Sequence, residues 1–175
     1  MLIRKATGAE MLKLWGYRDT DTVSPTARFF DNNISSGNAD FWTIDNNGEL
    51  IGELYAFRDI PEDRDFADGK TTAYLCAFRV RKDFRGQGLG SRLMETVLAK
   101  LRAEGFQWVT IGVGPEEEQN VRLYRRMGFN VKIKDCYTDP CAMDENMRPQ
   151  EDECYWLLAK VLAAGKRTVK RTRRK

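Results

Sequence analysis

Hydrophobic and polar positions change period several times along the chain, and each change marks an element. Residues 2–6 predict an opening strand, and Thr7 then offers a cap for a helix over residues 10–17. A second helix is expected over residues 25–34. The runs 40–44 and 50–57 read as β, and Asp45-Asn46-Asn47-Gly48-Glu49 between them is a hairpin signal because Asn-Gly tolerates positive φ. Those two strands are therefore adjacent and antiparallel. Residues 60–70 are charged and carry Pro61 and Gly69, which predicts a loop, its tip placed near substrate. Residues 73–80 form a β-rich run. Leu93, Met94, Val97, Leu98 and Leu101 then recur at helical spacing as a core stripe, and Gly105 ends that helix. Residues 108–113 read as a buried strand and 115–127 as a helix stopped by Gly128-Phe129. Two last strands, 131–134 and 155–161, flank an acidic, proline-bearing insert at 135–153, and no internal repeat is visible.

The chemistry concentrates where the strand ending at Val80 runs into Arg85-Gly86-Gln87-Gly88-Leu89-Gly90-Ser91 and a helix follows. Closely spaced glycines let backbone N–H groups converge on an anion without Cβ obstruction. The first helical turn adds unpaired N–H donors and the positive end of its dipole. The expected anion is a pyrophosphate. A Walker loop would need Gly-Lys followed by Ser or Thr, and a dinucleotide fingerprint would need G-x-G-x-x-G; the spacing here is G-x-G-x-G.

The pattern R-x-x-G-x-G after a strand resembles the acetyl-CoA loop of the GNAT superfamily of N-acetyltransferases. A second block in the right order is similar to that family's other motif: Asn120-Val-Arg-Leu-Tyr124-Arg-Arg-Met-Gly128-Phe129, a helix with a terminal Gly-Phe. The element order also resembles the whole GNAT fold. That resemblance implies an α/β architecture, a strongly twisted mixed sheet with helices on both faces, and splayed central strands at 73–80 and 108–113. Parted strands expose backbone groups that can bind a pantetheine arm as a pseudo-strand.

By the same resemblance, Phe78, Arg79 and Val80 line the arm, and backbone groups from Gly86 to Ser91 meet the pyrophosphate, with Gln87 and Leu89 in that run. Arg85 adds charge nearby. Many relatives carry an asparagine seven residues before the tyrosine, where this chain has Glu117, so the cofactor-binding task passes to Asn120 or Asn120 faces solvent. Tyr124 is the candidate acid for the departing coenzyme A thiolate, since a phenol of pKa about 10 stays protonated at neutral pH. No base follows from the resemblance, because neither central strand holds a carboxylate; Glu53, Tyr55, Asp59 or a water chain are the candidates. The implied activity is acetyl transfer from acetyl-CoA to a primary amine by direct attack through a tetrahedral intermediate. A non-catalytic acyl-CoA-binding or regulatory module is the alternative.

Composition narrows the rest. With 175 residues, 42% hydrophobic and 11% aromatic, the chain can bury one sizeable core, so residues 1–164 are expected to form a single domain. No apolar run approaches the roughly 20 residues of a membrane span, and the start lacks a signal-peptide core, which predicts a cytoplasmic protein. Zero histidines exclude the usual Ser-His or Cys-His nucleophile systems. Cys76, Cys136, Cys141 and Cys154 form no tight pair, so neither a metal site nor a disulfide framework is expected, and Cys76 reads as a small core residue. The net charge of +3 hides a basic tail at 165–175; the body carries about −4 by side-chain counting. The tail reads as a solvated terminus, and nucleic acid is not expected except through it. The acidic insert reads as a solvated loop that could instead attract a cationic amine. Acceptors open to this scaffold are small-molecule or protein-terminal amines, and a homodimer is compatible with it.

Overall fold

The computed structural model describes residues 1–150 and 154–162. The basic tail, together with Glu151, Asp152 and Glu153 of the insert, lies outside the described residues. Along the chain run β1 (Leu2–Ala6), α1 (Gly8–Leu14), α2 (Pro25–Ser35), β2 (Ala39–Asn46), β3 (Glu49–Phe57) and β4 (Thr72–Val80). After a 3-10 turn at Lys82–Phe84 come α3 (Leu89–Ala103), β5 (Trp108–Val113), α4 (Glu118–Arg126), β6 (Val131–Asp135) and β7 (Trp156–Val161).

Local chemistry sets most boundaries. Thr7 caps α1 in a reciprocal box: its hydroxyl accepts from Glu10 N–H while the Glu10 carboxylate accepts from Thr7 N–H. That helix stops at Leu14, short of the expected residue 17, and Gly16 turns the chain at φ 89°. Ser24 caps α2, with Pro25 in its first turn. Asn47 and Gly48 take φ of 54° and 93° and close the β2–β3 hairpin.

The strands make one mixed sheet in the order β1-β2-β3-β4-β5-β7-β6. Among the described residues only β4 and β5 run parallel, and α3 supplies the crossover a parallel pair requires. On one face, α3 buries Leu93, Met94, Val97, Leu98 and Leu101 against Leu54, Leu75, Val109 and Ile111. Burying each such side chain contributes about 1.5–3 kcal/mol relative to exposure. On the other face, α1 and α2 pack Met11 and Phe30 over Phe41, Tyr55 and Phe57; Phe30 meets the Tyr55 ring edge-on at 4.9 Å.

Two expectations are corrected. Cys136 and Cys154 are joined by a disulfide. Cys136 follows β6 and Cys154 precedes β7, and because these strands pair antiparallel with Asp135 opposite Trp156, the two cysteines meet at the mouth of a hairpin. Sequence spacing does not reveal that neighbourhood. The insert is also more than a solvated loop: Cys141 and Met143 are buried, and Met143 N–H donates to Thr26 Oγ1 of α2 at 3.0 Å. Cys141 and the half-buried Tyr137 belong to the apolar cluster on the α1–α2 face of the sheet.

Candidate active site

The site begins where the sheet comes apart. β4 and β5 pair from Thr72↔Trp108 to Leu75↔Ile111 and then separate, while β5 stays paired with β7 through Val113↔Trp156. From Cys76 onward, the edge of β4 that faced β5 has no strand partner among the described residues. A β-bulge lies at the same place: Glu53 opposes Arg79 and Tyr55 opposes Cys76, so Ala77 and Phe78 together face Leu54. Ala77 takes φ of 50°, an uncommon conformation for a residue with a side chain. The extra residue reverses the phase of the strand. Tyr74 and Cys76 face the α1–α2 side, whereas Phe78 and Val80 face α3.

Beyond Val80 the glycine loop is built for an anion. Gly86 and Gly88 have φ of 76° and 74°, and a Cβ at either would meet nothing within 4 Å, so the space beside this backbone is open. Gly88 caps α3 without a side-chain bond, and the N–H of Arg92 is the one that returns to Gly88 O, at 3.1 Å. Among the described residues no group accepts from the N–H donors of residues 86–91. Gly90 serves packing instead: a Cβ there would come within 3.1 Å of Phe78 Cζ and 3.4 Å of Val80 Cγ2, seating α3 on β4. The side chain of Arg85 is turned back, with Nε donating to Val80 O at 2.7 Å.

Two cavities meet across the splay. One, of about 530 Å³, is lined by Phe78, Arg79, Val80, Arg85, Gly86, Gly88, Leu89, Gly90 and Ser91, together with Glu117 and Asn120. The other, of about 450 Å³, shares Phe78, Arg79, Glu117 and Asn120, and adds Tyr124 with Tyr74, Cys76, Gly112, Tyr137, Asp139 and Tyr155. Of the residues expected to hold the cofactor or to protonate the thiolate, all but Gln87 line one of the two. Cys76, expected in the core, is only half-buried and lines the second cavity.

Tyr124 is 5% exposed, and its ring lies 6.3 Å from Phe78 and 6.0 Å from Phe129. Burial first, and the Glu117 carboxylate second, push its phenol above the ordinary range, so it holds its proton. Glu117 accepts from Gly114 N–H at 2.9 Å and from Asn120 Nδ2 at 3.3 Å.

The candidate bases fare differently. Glu53 is buried, with Oε2 accepting from Trp15 Nε1 at 2.9 Å and Tyr55 Oη at 2.8 Å, and Oε1 paired with Arg79 Nε at 3.0 Å. Its lone pairs are largely committed to holding Arg79 at the junction of the cavities. Burial, reinforced by Glu53, pushes the Tyr55 phenol well above its usual value, which makes it a donor and not a base. Asp59 lines neither cavity. The loop after β3 also stays out of both; its Phe66 buttresses Tyr74 and Tyr137 edge-on, each at 4.9 Å. Gly112, Tyr137 of the insert and Tyr155 are site residues that the sequence pattern does not single out: a Cβ at residue 112 would sit 1.9 Å from Tyr137 Oη.

Residues 9–129 match the Acetyltransferase (GNAT) family. The chain belongs to that family. The match includes the glycine loop, the parted strands and α4. Among curated relatives, N-acetyltransferase 8 of Rattus norvegicus is 30% identical over 96 residues, 55% of this chain and 41% of that protein. The L-methionine sulfoximine/L-methionine sulfone acetyltransferase of Pseudomonas aeruginosa is 25% identical over 118 residues, 67% of this chain and 65% of that protein. The chain thus spans from about two fifths to just under two thirds of the length of these relatives. Among solved structures, a GNAT family acetyltransferase from Elizabethkingia anophelis with acetyl-CoA bound aligns at TM-score 0.58 and 19% identity, over 92% of this chain and 97% of that one. A ribosomal-protein-alanine N-acetyltransferase from Brucella melitensis aligns at TM-score 0.62 and 17% identity, over 93% and 100%. These similarities show the GNAT fold. Among the described residues no helix is long and apolar enough to cross a membrane.

Proposed function

We propose that the protein is an acetyl-CoA-dependent N-acetyltransferase acting on a primary amine. The observation that carries this reading is the junction of the cavities at the splay, with uncapped N–H donors on one side and a buried, protonated tyrosine on the other. The residues fit the cosubstrate: open space beside Gly86 and Gly88 suits a pyrophosphate, and the free edge of β4 suits an amide-bearing arm.

Acetyl-CoA, when bound, supplies the activated thioester. The N–H groups of residues 86–91 hold its phosphates, and Phe78, Arg79 and Val80 orient its arm along the parted strand, with Asn120 closing over it from α4. Tyr124 keeps a proton at Oη for the sulfur that leaves. Glu53 acts by fixing Arg79, and the proton of the attacking amine departs through solvent in the cleft. The acceptor amine enters from the side of Tyr74, Tyr137 and Tyr155. Residues 1–164 act as one catalytic unit in this reading.

Thiol release measured over an amine panel tests it. Amine-dependent release of coenzyme A, with the acetylated product seen by mass spectrometry, is expected. Saturable acetyl-CoA binding with no amine-dependent thiol would identify a binding module instead.

A further inference from the structure

The acceptor side of the cleft carries a charge pattern that selects among amines. Asp139, from the insert, lines the cavity, and its Oδ1 accepts from Cys141 N–H at 2.8 Å. No lysine or arginine pairs with it among the described residues. Glu117 adds a second carboxylate, while the guanidinium of Arg79 is offset by Glu53. The cavity is therefore anionic on balance. Tyr137 and Tyr155 line the same cavity as Asp139, their rings 6.1 Å apart, with Tyr137 buttressed by Phe66. Tyrosine faces and hydroxyls beside a carboxylate suit an ammonium group. Burial, and then the charge of Asp139, hold the Tyr137 hydroxyl in its protonated form.

The reacting nitrogen cannot be the group held there. A carboxylate beside an amine favours its charged form, and a protonated amine has no lone pair with which to attack the thioester. Asp139 thus suits a second, non-reacting cation. A carboxylate on the acceptor would meet Asp139 and Glu117 as like charges. The docked insert walls this side, with Met143 tied to α2 and Tyr137 seated on Phe66, which leaves a cavity of about 450 Å³ sized for a small molecule.

We propose that the acceptor is an aliphatic diamine lacking a carboxylate, one ammonium held by Asp139 between Tyr137 and Tyr155 and the other amine delivered to the parted strands. This rests on the acetyl-transfer reading and adds the substrate class to it.

Three compounds sharing one five-carbon chain test it on the full chain: pentylamine, 1,5-diaminopentane and lysine. The expected kcat/KM for the diamine exceeds that of each of the others by roughly tenfold or more, beyond the statistical advantage of two equivalent amines, with the difference carried in KM. Asp139→Asn keeps an oxygen for Cys141 N–H while removing the charge, and should collapse the diamine-to-monoamine ratio towards one. Equal rates for diamine and monoamine, lysine as the better acceptor, turnover only with a peptide amine, or an unchanged ratio in folded Asp139→Asn would each overturn the diamine assignment and leave acetyl transfer standing. Saturable acetyl-CoA binding with no release for any amine would instead remove both readings.

Discussion

Replacing Tyr124 by phenylalanine deletes one oxygen and keeps the ring against Phe78 and Phe129. No described residue hydrogen-bonds the hydroxyl, so its loss leaves no protein donor or acceptor stranded, and stability should change by less than about 1 kcal/mol. The effect on turnover is larger. Burial and Glu117 raise the phenol above its ordinary value, which secures the proton but weakens the acid. Complete transfer from a phenol of pKa above about 10 to a thiolate near about 8.5 is uphill by more than roughly 2 kcal/mol. A hydrogen bond shared with the developing thiolate is therefore the role these energies favour. Such charge-assisted bonds contribute about 1.5–3 kcal/mol, so kcat should fall about ten- to hundredfold.

Three measurements read the outcome: thiol release with an amine for which chemistry limits turnover, calorimetric titration of acetyl-CoA, and thermal unfolding. Lower kcat with nearly unchanged cofactor affinity and melting temperature is expected. The pH dependence has a definite sign. With the folded phenol's pKa raised above its unfolded value, the unfolded chain ionises first, so this group costs stability only above pH about 10. Any loss of activity below that pH belongs to another group. An unchanged kcat in a well-folded Tyr124→Phe enzyme would reject Tyr124 as the proton donor and move that task to water.

Gly88→Val should raise the acetyl-CoA dissociation constant at least about tenfold, or 1.4 kcal/mol, while unfolding stays cooperative, because φ of 74° disfavours a β-branched residue where the backbone must approach phosphate; unchanged affinity by calorimetry would take the loop out of the site. Asp68 accepts from the backbone N–H groups of Lys70, Thr71 and Thr72 and from Thr71 Oγ1. Burial pushes its pKa up, but these four donors outweigh it and hold the carboxyl below the usual range. Asp68→Asn should therefore cost about 1–3 kcal/mol at neutral pH, a deficit that shrinks as pH falls below about 4 and the native carboxylate's advantage is lost; a pH-independent deficit in denaturant titrations would contradict this. Glu53→Gln should destabilise the fold by about 1–3 kcal/mol by loosening Trp15 and Arg79, yet lower kcat less than about tenfold, against the 10²–10⁴ of a lost general base. A loss in that larger range would make Glu53 the base.

What could be read in the sequence is what is encoded locally. The stripe from Leu93 to Leu101, the Asn47-Gly48 hairpin and the strand running into the glycine loop each occupy a short contiguous window, so period and turn chemistry suffice. The bulge at Ala77 has no such signature: alanine is an ordinary strand residue, and its positive φ follows from pairing with β3 some two dozen positions earlier. The role of Glu53 as an anchor has no local signature because its partners, Trp15 and Arg79, come from the end of a distant helix and the far side of that bulge. In the insert, the acidic residues masked Tyr137, Cys141 and Met143, whose apolar bodies were the available sign that it packs. Gly112 has the pattern of one more strand residue, and its need for glycine comes from the hydroxyl of Tyr137, which fills the place of the missing Cβ.

The same distinction separates the two halves of the site. The cofactor half is drawn mainly from β4, the loop after it and α4, in two compact stretches that a family pattern can capture. The acceptor half is assembled from β4, β5, the residues just after β6 and the residue before β7, segments far apart in the chain. Relatives can therefore share the donor motif while their acceptor walls differ, and likeness in the first says little about the second. Selectivity for the amine has to be sought in Asp139, Tyr137 and Tyr155, residues that no linear motif joins and that only the folding of the insert onto the sheet brings together.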